Sequence, residues 1–119
     1  MHEMSLAGGV LRIVEEAAER EHFARVRRLS LEAGALACIE VRALRFALEA
    51  IAPGTCLEGA EIEIDEPPGR AWCLRCCETV AIASRTDACP RCGSFQLQPT
   101  EGTELRVRDL IVLDEAEAG

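Results

Sequence analysis

Two stretches of the chain place apolar residues at intervals of three and four, which predicts amphipathic helices over residues 5–21 and about 40–52. Ser5 is the predicted N-cap of the first helix, because its hydroxyl can accept from a backbone N–H group that has no partner inside the helix. Pro53-Gly54-Thr55 ends the second helix. The predicted buried faces are Leu6, Val10, Ile13, Val14 and Ala17 in the first helix and Leu44, Ala47, Leu48 and Ile51 in the second.

Three other stretches alternate apolar and polar residues, which predicts strands over 26–33, 60–65 and 105–113. The alternation of the third strand breaks at Asp109, which suggests a bulge or a change of register. A strand, a helix and a strand of these lengths favour a right-handed crossover, so we expect the first two strands to pair in parallel. The residues of the first strand that we expect to face the core are Leu29, Leu31 and Ala33.

A cysteine-rich insert separates the second predicted strand from the third, and Pro67-Pro68-Gly69 marks its beginning. We predict an α+β fold (small mixed α/β), in which two helices and a three-stranded sheet carry an inserted zinc-ribbon hairpin. Residues 1–68 and 99–119 form the predicted α/β domain, and residues 69–98 form the predicted insert. The expected core of the insert, Val80 and Ile82 on one arm with Phe95 and Leu97 on the other, is small, so its folding would depend on metal.

Four cysteines supply that metal site as Cys-x2-Cys-x12-Cys-x2-Cys, at Cys73, Cys76, Cys89 and Cys92. A Cys-x-x-Cys turn directs two sulfurs to one point, and two such turns provide four thiolates for a structural Zn²⁺. Gly93 follows the second pair, where a residue without a Cβ lets the backbone close around the sulfurs.

Other interpretations of the cysteines remain open. Iron in a rubredoxin-like site uses the same four ligands, and Cys77 could replace its neighbour Cys76 as a ligand. A disulfide framework or a thioredoxin-type pair fits less well, because nothing indicates secretion and redox pairs normally stand alone. Cys38 and Cys56 have no partner at metal spacing, and we expect them to be small buried apolar residues.

Composition narrows the possible functions. The chain of 119 residues has a formal net charge of −8 and one Trp, three Phe and no Tyr, which disfavours nucleic-acid binding. The first twenty residues contain too many charges for a signal peptide, and no apolar run approaches the roughly 20 residues of a membrane span. Reduced thiols are typical of the cytosol, so we expect a cytoplasmic protein of one domain with an insert.

The chain begins Met1-His2-Glu3, which forms a potential chelate. The α-amine of Met1, the amide nitrogen of His2 and the His2 Nδ1 close a five- and a six-membered ring, with the Glu3 amide or another group as a fourth donor. Planar nitrogen donors suit Ni(II) or Cu(II). By contrast, we expect His22, at the end of the first helix, to be a surface residue.

No arrangement of residues indicates an enzyme. The sequence contains no Ser/His/Asp or Cys/His set and no Gly-rich phosphate loop, and both histidines lie near the N-terminus. The main alternative to a nickel-binding protein is a zinc-ribbon protein or nucleic-acid interaction module without nickel transfer. Four arginines make the insert locally basic, namely Arg70, Arg75, Arg85 and Arg91. We expect these four arginines to be dispersed over a solvated surface.

Together, the opening MHEMS, the α/β region of about 70 residues, the paired cysteine turns and the final apolar strand resemble the HypA/HybF family of hydrogenase maturation nickel chaperones. The similarity covers the whole chain. Three residues depart from the family pattern. Val41 and Arg42 stand where a proline and an acidic residue are frequent, which loses a pre-organised helix start, and Cys77 is an additional thiol. Residues of the loop and second helix that also match the pattern are Gly34, Leu36, Glu40, Leu44, Phe46 and Gly54-Thr55.

The resemblance implies that Met1, His2 and Glu3 bind nickel, that His2 is indispensable, and that the four paired cysteines bind structural zinc. Residues 1–68 and 99–119 would then form the nickel-binding domain. It also implies two partners, the nickel-handling GTPase HypB and the large subunit of a [NiFe] hydrogenase, with urease as a further client in some members. Monomer, homodimer and a swapped dimer all remain open.

Overall fold

The computed structural model describes residues 2–113, and side chains from Glu3 onward. It contains two helices and six strands, in the order α1 (His2–Glu21), β1 (Val26–Ala33), α2 (Val41–Ile51), β2 (Glu61–Asp65), β3 (Gly69–Cys73), β4 (Glu78–Ile82), β5 (Leu97–Glu101) and β6 (Leu105–Val112). Two helices with a three-stranded sheet and a cysteine-rich second sheet confirm the predicted fold class. Of the described helices, neither combines the length and apolar character that a membrane span requires.

Helix α1 includes His2, so the prediction of Ser5 as its N-cap is wrong and Ser5 lies exposed inside the helix. Nothing in His2-Glu3-Met4 breaks a helix, and the Glu3 carboxylate is favourable in a first turn, where it faces the positive end of the helix dipole. The buried face also differs from the prediction. Ala7, Val10 and Val14 are buried, whereas Ile13 is 53% exposed.

Helix α1 ends at Glu21, and the next residue, His22, has a left-handed backbone with φ of 60°. The N–H of Phe23 donates to the carbonyl of Ala18 at 3.2 Å, the bond that closes a Schellman motif. His22 is exposed, as predicted, and its position is set by the helix end.

The first sheet has the order β2-β1-β6, with β1 at its centre. Val26 donates to the carbonyl of Cys56, which precedes β2, and the Arg28 Nε lies 3.3 Å from Glu61, so β1 and β2 run in parallel as predicted. Gly34 donates to Glu104, and Leu113 donates to Arg25, which makes β6 antiparallel to β1. Leu29, Leu31 and Ala33 are buried as expected, and Ser30 on the opposite face of β1 is buried too.

The second sheet has the order β4-β3-β5, in which β3 pairs antiparallel with both neighbours. The two-armed hairpin predicted over the insert is therefore a three-stranded sheet that continues to Glu101. Its buried cluster consists of Leu36, Ala71, Cys73, Val80, Ile82 and Cys89. Phe95, an expected core residue, is 75% exposed, because the strand begins only at Leu97.

The contacts divide the chain into two compact units. The α/β unit comprises Met1–Leu31, Glu40–Ile64 and Val107–Gly119, of which the structure describes 2–31, 40–64 and 107–113. The cysteine unit comprises Glu32–Ile39 and Asp65–Arg106. The predicted division into a nickel-binding domain and an insert at 69–98 stays a prediction about function.

The segment Glu32–Ile39 belongs to the cysteine unit because Leu36 is fully buried there. Leu36 donates to the carbonyl of Gly102 at 2.8 Å and accepts from the Arg85 Nε at 2.8 Å. A Cβ on Gly69 would lie 2.4 Å from the Leu36 Cγ, so only glycine permits this packing. The loop between β1 and α2 therefore completes the core of the cysteine unit.

Candidate metal centres

The two Cys-x-x-Cys turns have the same backbone hydrogen bonds. Cys77 donates to the carbonyl of Cys73 at 2.8 Å, and Gly93 donates to the carbonyl of Cys89 at 2.8 Å. Both donors have a left-handed backbone, with φ of 56° at Cys77 and 75° at Gly93. The left-handed residue after each pair closes the turn, and glycine adopts that conformation without strain.

Each turn also directs a backbone amide at its first sulfur. The N–H of Cys76 donates to the Sγ of Cys73 at 3.3 Å, and the N–H of Arg91 donates to the Sγ of Cys89 at 3.4 Å. These donors stabilise negative charge on sulfur, the form that binds metal.

The four paired sulfurs lie within 4.8 Å of one another. The Sγ atoms of Cys73 and Cys92 are 3.7 Å apart, and those of Cys76 and Cys89 are 3.9 Å apart. A tetrahedral ion with bonds of about 2.3 Å to sulfur separates its ligands by about 3.8 Å. The donor set and the spacing therefore fit zinc, and they fit iron with four thiolates as well.

The remaining cysteines lie outside this cluster. Cys77 is exposed, and its Sγ lies 3.7 Å from the carbonyl oxygen of Leu74, so the structure brings Cys76 to the cluster and not its neighbour. Cys38 is exposed, so its prediction as a buried residue is wrong, and Cys56 is only partly buried. All seven cysteines are free thiols, which gives no support to a disulfide framework.

The thiols of the four-cysteine cluster differ in their pKa values. Burial alone would raise the pKa of the Cys89 thiol, but the backbone N–H groups of Cys92 and Arg91 favour the thiolate and lower it to about 7. The hydrogen bond between Cys76 and Cys92, with burial, raises the pKa of Cys76 to about 12. Near neutral pH, Cys76 must therefore release a proton when a metal binds, so the affinity for metal falls as the pH falls.

The other candidate centre is the N-terminal Met1-His2-Glu3 sequence. His2 is the first residue of α1, and the side chain of Glu3 makes a hydrogen bond. The Oε1 of Glu3 accepts from the backbone N–H of Glu40 at 3.4 Å. The first N–H groups of a helix have no partner within it, so the amides of residues 2 and 3 are not committed to the helical ladder. Met1 and the side chain of His2 lie outside the part of the chain that the structure describes.

Glu40 is the residue that sequence reasoning did not single out as part of a site. Its carboxylate caps α2, accepting from the N–H groups of Arg42 at 3.4 Å and Ala43 at 2.9 Å. Val41 and Arg42 do not provide the pre-organised helix start of a proline, but the Glu40 cap satisfies the amides of Arg42 and Ala43. An acidic residue three positions before Ala43 was the available signal.

No second group of three or more His, Cys, Asp or Glu donors converges within residues 2–113. The arginines of the insert are also largely engaged. Arg91 pairs with Glu78, Arg70 lies 3.6 Å from Glu101, and Arg85 donates to Leu36. They do not form the basic surface that a nucleic acid would need.

Residues 1–112 match the family model "HypA: Hydrogenase/urease nickel incorporation, metallochaperone, hypA". The chain is 64% identical over 115 residues to a hydrogenase maturation factor HypA of Polaromonas naphthalenivorans, covering 97% of this chain and 100% of the relative. It is 66% identical over 114 residues to a hydrogenase maturation factor HypA of Cupriavidus necator, with 96% of each chain covered.

The fold is also similar to a solved structure, the solution structure of the Ni metallochaperone HypA from Helicobacter pylori. The TM-score is 0.70, at 20% sequence identity, over 95% of this chain and 98% of the other. The structural likeness bears on the fold, and the family match extends over nearly the whole sequence, from its first residue. This chain belongs to the HypA family of hydrogenase and urease nickel-incorporation metallochaperones.

Proposed function

We propose that the chain binds Ni(II) through Met1, His2 and Glu3 and delivers it for the maturation of a [NiFe] hydrogenase. The observation that carries this proposal is the family match, which begins at residue 1 and so includes the Met1-His2-Glu3 chelate. The HypA relatives are named as hydrogenase maturation factors, and the family description names nickel incorporation.

The start of α1 suits a metal that must be released again. The Met1 amine, the His2 amide and the His2 imidazole would form the planar set, and the uncommitted amides of the first turn are available to it. Because the α-amine must lose a proton (reference pKa roughly 7.7–8), nickel binding would weaken as the pH falls. A site at the chain end lets a partner replace the ligands one at a time.

The carboxylates of Glu3 and Glu40 support this role. The Glu3 side chain accepts from the backbone N–H of Glu40, and the Glu40 side chain caps α2. Acidic side chains near a binding site raise the local concentration of divalent cations. The Glu3 side chain is thereby held in place, which favours its amide as the fourth donor.

The four clustered cysteines would hold zinc in a structural role. Four thiolates fill a tetrahedron, so the ion has no open position at which water could be activated. The metal would instead hold together a unit whose core is small. A closed zinc site of this kind suits a metallochaperone that performs no catalysis.

We expect two protein partners because the chain belongs to the HypA family of maturation factors. A nickel GTPase of the HypB type would supply or receive the ion, and the large subunit of a [NiFe] hydrogenase would be its destination. We expect this exchange to take place in the cytoplasm, where thiols stay reduced. This transfer does not require a particular oligomeric state, and either a monomer or a homodimer could perform it.

The decisive experiment is a Ni(II) titration of the zinc-loaded, tag-free chain beside the same chain with one additional N-terminal residue. The addition moves the free amine away from His2 and breaks the chelate while every side chain is retained. We expect tight nickel binding in the first protein and its loss in the second, measured by calorimetry and by the planar-site absorption of nickel. Equal binding in both would disprove a site at Met1 and His2.

The second histidine of the chain provides a matched control. His2→Ala should abolish tight nickel binding and hydrogenase maturation, whereas His22→Ala should leave both unchanged. His22 is exposed at the end of α1 and belongs to no donor cluster within the described residues. Zinc content, measured in each variant, should stay at one ion per chain.

A further inference from the structure

A groove runs along one edge of the first sheet, between β6 and the C-terminal half of α1. Its volume is about 770 Å³, which lies within the roughly 300–1,000 Å³ that is usual for ligand sites. Its described lining residues lie between positions 13 and 24 and between positions 107 and 113, so all of them belong to the α/β unit. None of them belongs to a candidate metal centre. We call this cavity the edge groove.

The floor of the edge groove is apolar and open to solvent. Ile13 is 53% exposed and Val112 is 39% exposed, and both line the groove together with Ala17, Phe23 and Leu110. Exposed apolar side chains that are scattered singly are normal on a protein surface, but a group of them in one concave site marks an interaction surface. The groove therefore offers apolar contacts that the α/β unit leaves unused.

Strand β6 forms one wall of the edge groove and is an edge strand, because the order of the sheet is β2-β1-β6. Leu113 donates to the carbonyl of Arg25, so its backbone points at β1. Successive residues of a strand direct their backbone groups to opposite sides, so those of Val112 and Leu110 point away from β1. Such an edge can pair with an added extended segment. The groove thus combines an apolar floor with backbone hydrogen-bonding groups.

The charges of the edge groove are mainly negative. Among its described lining residues, three carboxylates face one guanidinium, and these groups belong to Glu16, Glu21, Asp109 and Arg20. Arg20 lies 3.5 Å from Glu21, and Asp109 lies 3.6 Å from the Nε of Arg108. Glu16 has neither an ion pair nor a hydrogen bond within residues 2–113. An approaching cation therefore meets an unpaired carboxylate.

The end of α1 adds to this negative potential. The last turn of α1, which ends at Glu21, and the residues that follow it line the groove. The last carbonyl groups of a helix carry a partial negative charge, which favours a cation nearby. The whole chain has a formal net charge of −8, so a second copy would bring charge of the same sign to the groove. The complementary occupant is apolar and basic.

The edge groove lies away from the start of α1. The helix has 20 residues from His2 to Glu21, which span about 30 Å at 1.5 Å per residue. The groove residue nearest to its start is Ile13, which is about 16 Å from His2 along the helix axis. An occupant of the groove would therefore leave the first turn of α1 accessible.

We propose that the edge groove binds an extended segment of a partner protein that presents apolar and basic side chains on one face. The segment would add to the sheet as a fourth strand and bond to the backbone of Leu110 and Val112. Its apolar side chains would cover Ile13 and Val112, and a basic side chain would pair with Glu16. This contact would hold a partner on the α/β unit while the proposed nickel site stays open, so it goes beyond nickel binding and does not depend on it.

A peptide titration tests the proposal. The zinc-loaded full chain, labelled with ¹⁵N, is titrated with an acetylated and amidated peptide of sequence Arg-Thr-Val-Thr-Val-Thr-Arg, whose arginines and valines share one face of a strand. One control peptide has glutamate in place of arginine, and another is N-methylated at its three central amides. We expect a Kd below about 1 mM for the first peptide and at least tenfold weaker binding of each control. The amide signals of Leu110 and Val112 should shift.

Variants of the chain locate the contact. Ile13→Ser should weaken peptide binding about tenfold, and Glu16→Gln about threefold, since an exposed ion pair contributes less than apolar burial. The matched controls are Glu15→Gln, an exposed acid of the same helix outside the groove, and Phe46→Ser, an exposed apolar side chain of α2. Both should bind the peptide as the unaltered chain does. Unchanged circular dichroism in all four variants separates loss of contact from loss of fold.

The nickel titration and the peptide titration can fail independently. The chain with one additional N-terminal residue, which breaks the proposed nickel chelate, should bind the peptide with unchanged affinity. Loss of peptide binding in that chain would contradict a site at the far end of α1.

Other results would also overturn the proposal. No saturation up to about 1 mM would show that the groove does not bind such a segment. Equal losses in Glu15→Gln and Glu16→Gln would show attraction to the net charge of the chain, and equal binding of the N-methylated peptide would show that no strand is added. Binding only after removal of residues 114–119 would assign the groove to this chain's own C-terminal segment. A dimer that Ile13→Ser dissociates, measured by light scattering, would assign it to a second copy.

Discussion

The interiors of the two units of this protein are stabilised in different ways. In the α/β unit, fully buried large side chains include Leu29, Leu31, Leu44, Leu48 and Leu57. In the cysteine unit, Leu36 is the one large aliphatic side chain among the fully buried residues described, and its neighbours include Ala71, Cys73 and Cys89. A unit of about 50 residues buries too little apolar surface to be stable by packing alone. We therefore expect a metal bound by the four clustered cysteines to supply the stability that this small core does not.

Removal of the metal should have the largest effect and should show most clearly that the two units differ in stability. Since a structural zinc contributes on the order of 10 kcal/mol, stripping it should unfold the cysteine unit and leave the α/β unit folded. Amide hydrogen exchange would measure this as loss of protection in β3, β4 and β5 and retained protection in β1 and β2. Uniform protection with and without metal would show that the cysteine unit folds by packing after all.

A core truncation in the α/β unit should have the next largest effect. Leu48→Ala removes a fully buried side chain of α2 and should lower the free energy of unfolding by about 2–5 kcal/mol. Cobalt substituted for zinc should show an unchanged thiolate spectrum, because Leu48 belongs to the other unit. Chemical denaturation followed by helical circular dichroism measures the free energy of unfolding. Absorption spectroscopy measures the cobalt–thiolate spectrum.

Ile13→Ala is the matched control for that truncation, since Ile13 is 53% exposed on the other helix. It should cost less than about 1 kcal/mol. Equal losses at positions 13 and 48 would contradict the placement of the α/β core. A changed cobalt spectrum in Leu48→Ala would show that the two units are not independently stabilised.

The smallest expected effect is on zinc affinity and concerns the two Cys-x-x-Cys turns, whose residues directly after the second cysteine differ. Cys77 and Gly93 both adopt positive φ, and a side chain there costs about 1–2 kcal/mol, partly offset by the greater freedom of glycine in the unfolded chain. Cys77→Gly should therefore tighten zinc binding about fivefold, and Gly93→Ala should weaken it about as much. Competition with a chromophoric chelator at fixed pH measures both.

Backbone strain can be distinguished from crowding at these sites. No heavy atom lies within 4 Å of a Cβ added at Gly93, so Gly93→Ala tests conformation alone. Gly8→Ala, in the exposed part of α1, should instead add about 1 kcal/mol to the α/β unit without changing zinc affinity. A loss of zinc affinity in Gly8→Ala would refute this assignment of strain to the turns.

Periodic segments were predicted well because their patterns repeat over several turns or residues. The alternation in 26–33 placed Leu29 and Leu31 inside β1, and the stripe in α2 placed Leu44 and Leu48 inside. Single-residue predictions failed more often. Ser5 was expected to begin α1, but a helix boundary depends on what the preceding residues do, and His2-Glu3-Met4 continue the helix.

The cysteine unit shows where pattern is insufficient. Strand β3 is only five residues long and its buried positions are Gly69, Ala71 and Cys73, which carry little apolar signal. Its third strand and the exposure of Phe95 therefore escaped prediction. The spacing of the cysteines, by contrast, is a covalent property of the sequence, and it correctly indicated which sulfurs lie together.

The sequence by itself determined the alternation of helices and strands and the grouping of the four thiols, and it supplies the Met1-His2 opening on which the proposed nickel site rests, because each is a pattern of residue types and spacings along the chain. Only the tertiary structure placed Leu36 in the core of the cysteine unit and the Glu3 carboxylate on the amide of Glu40. It alone showed that Trp72 and Leu74 are exposed at the surface of the cysteine unit. These contacts join or expose residues through the packing of distant segments, and no local pattern specifies how distant segments pack.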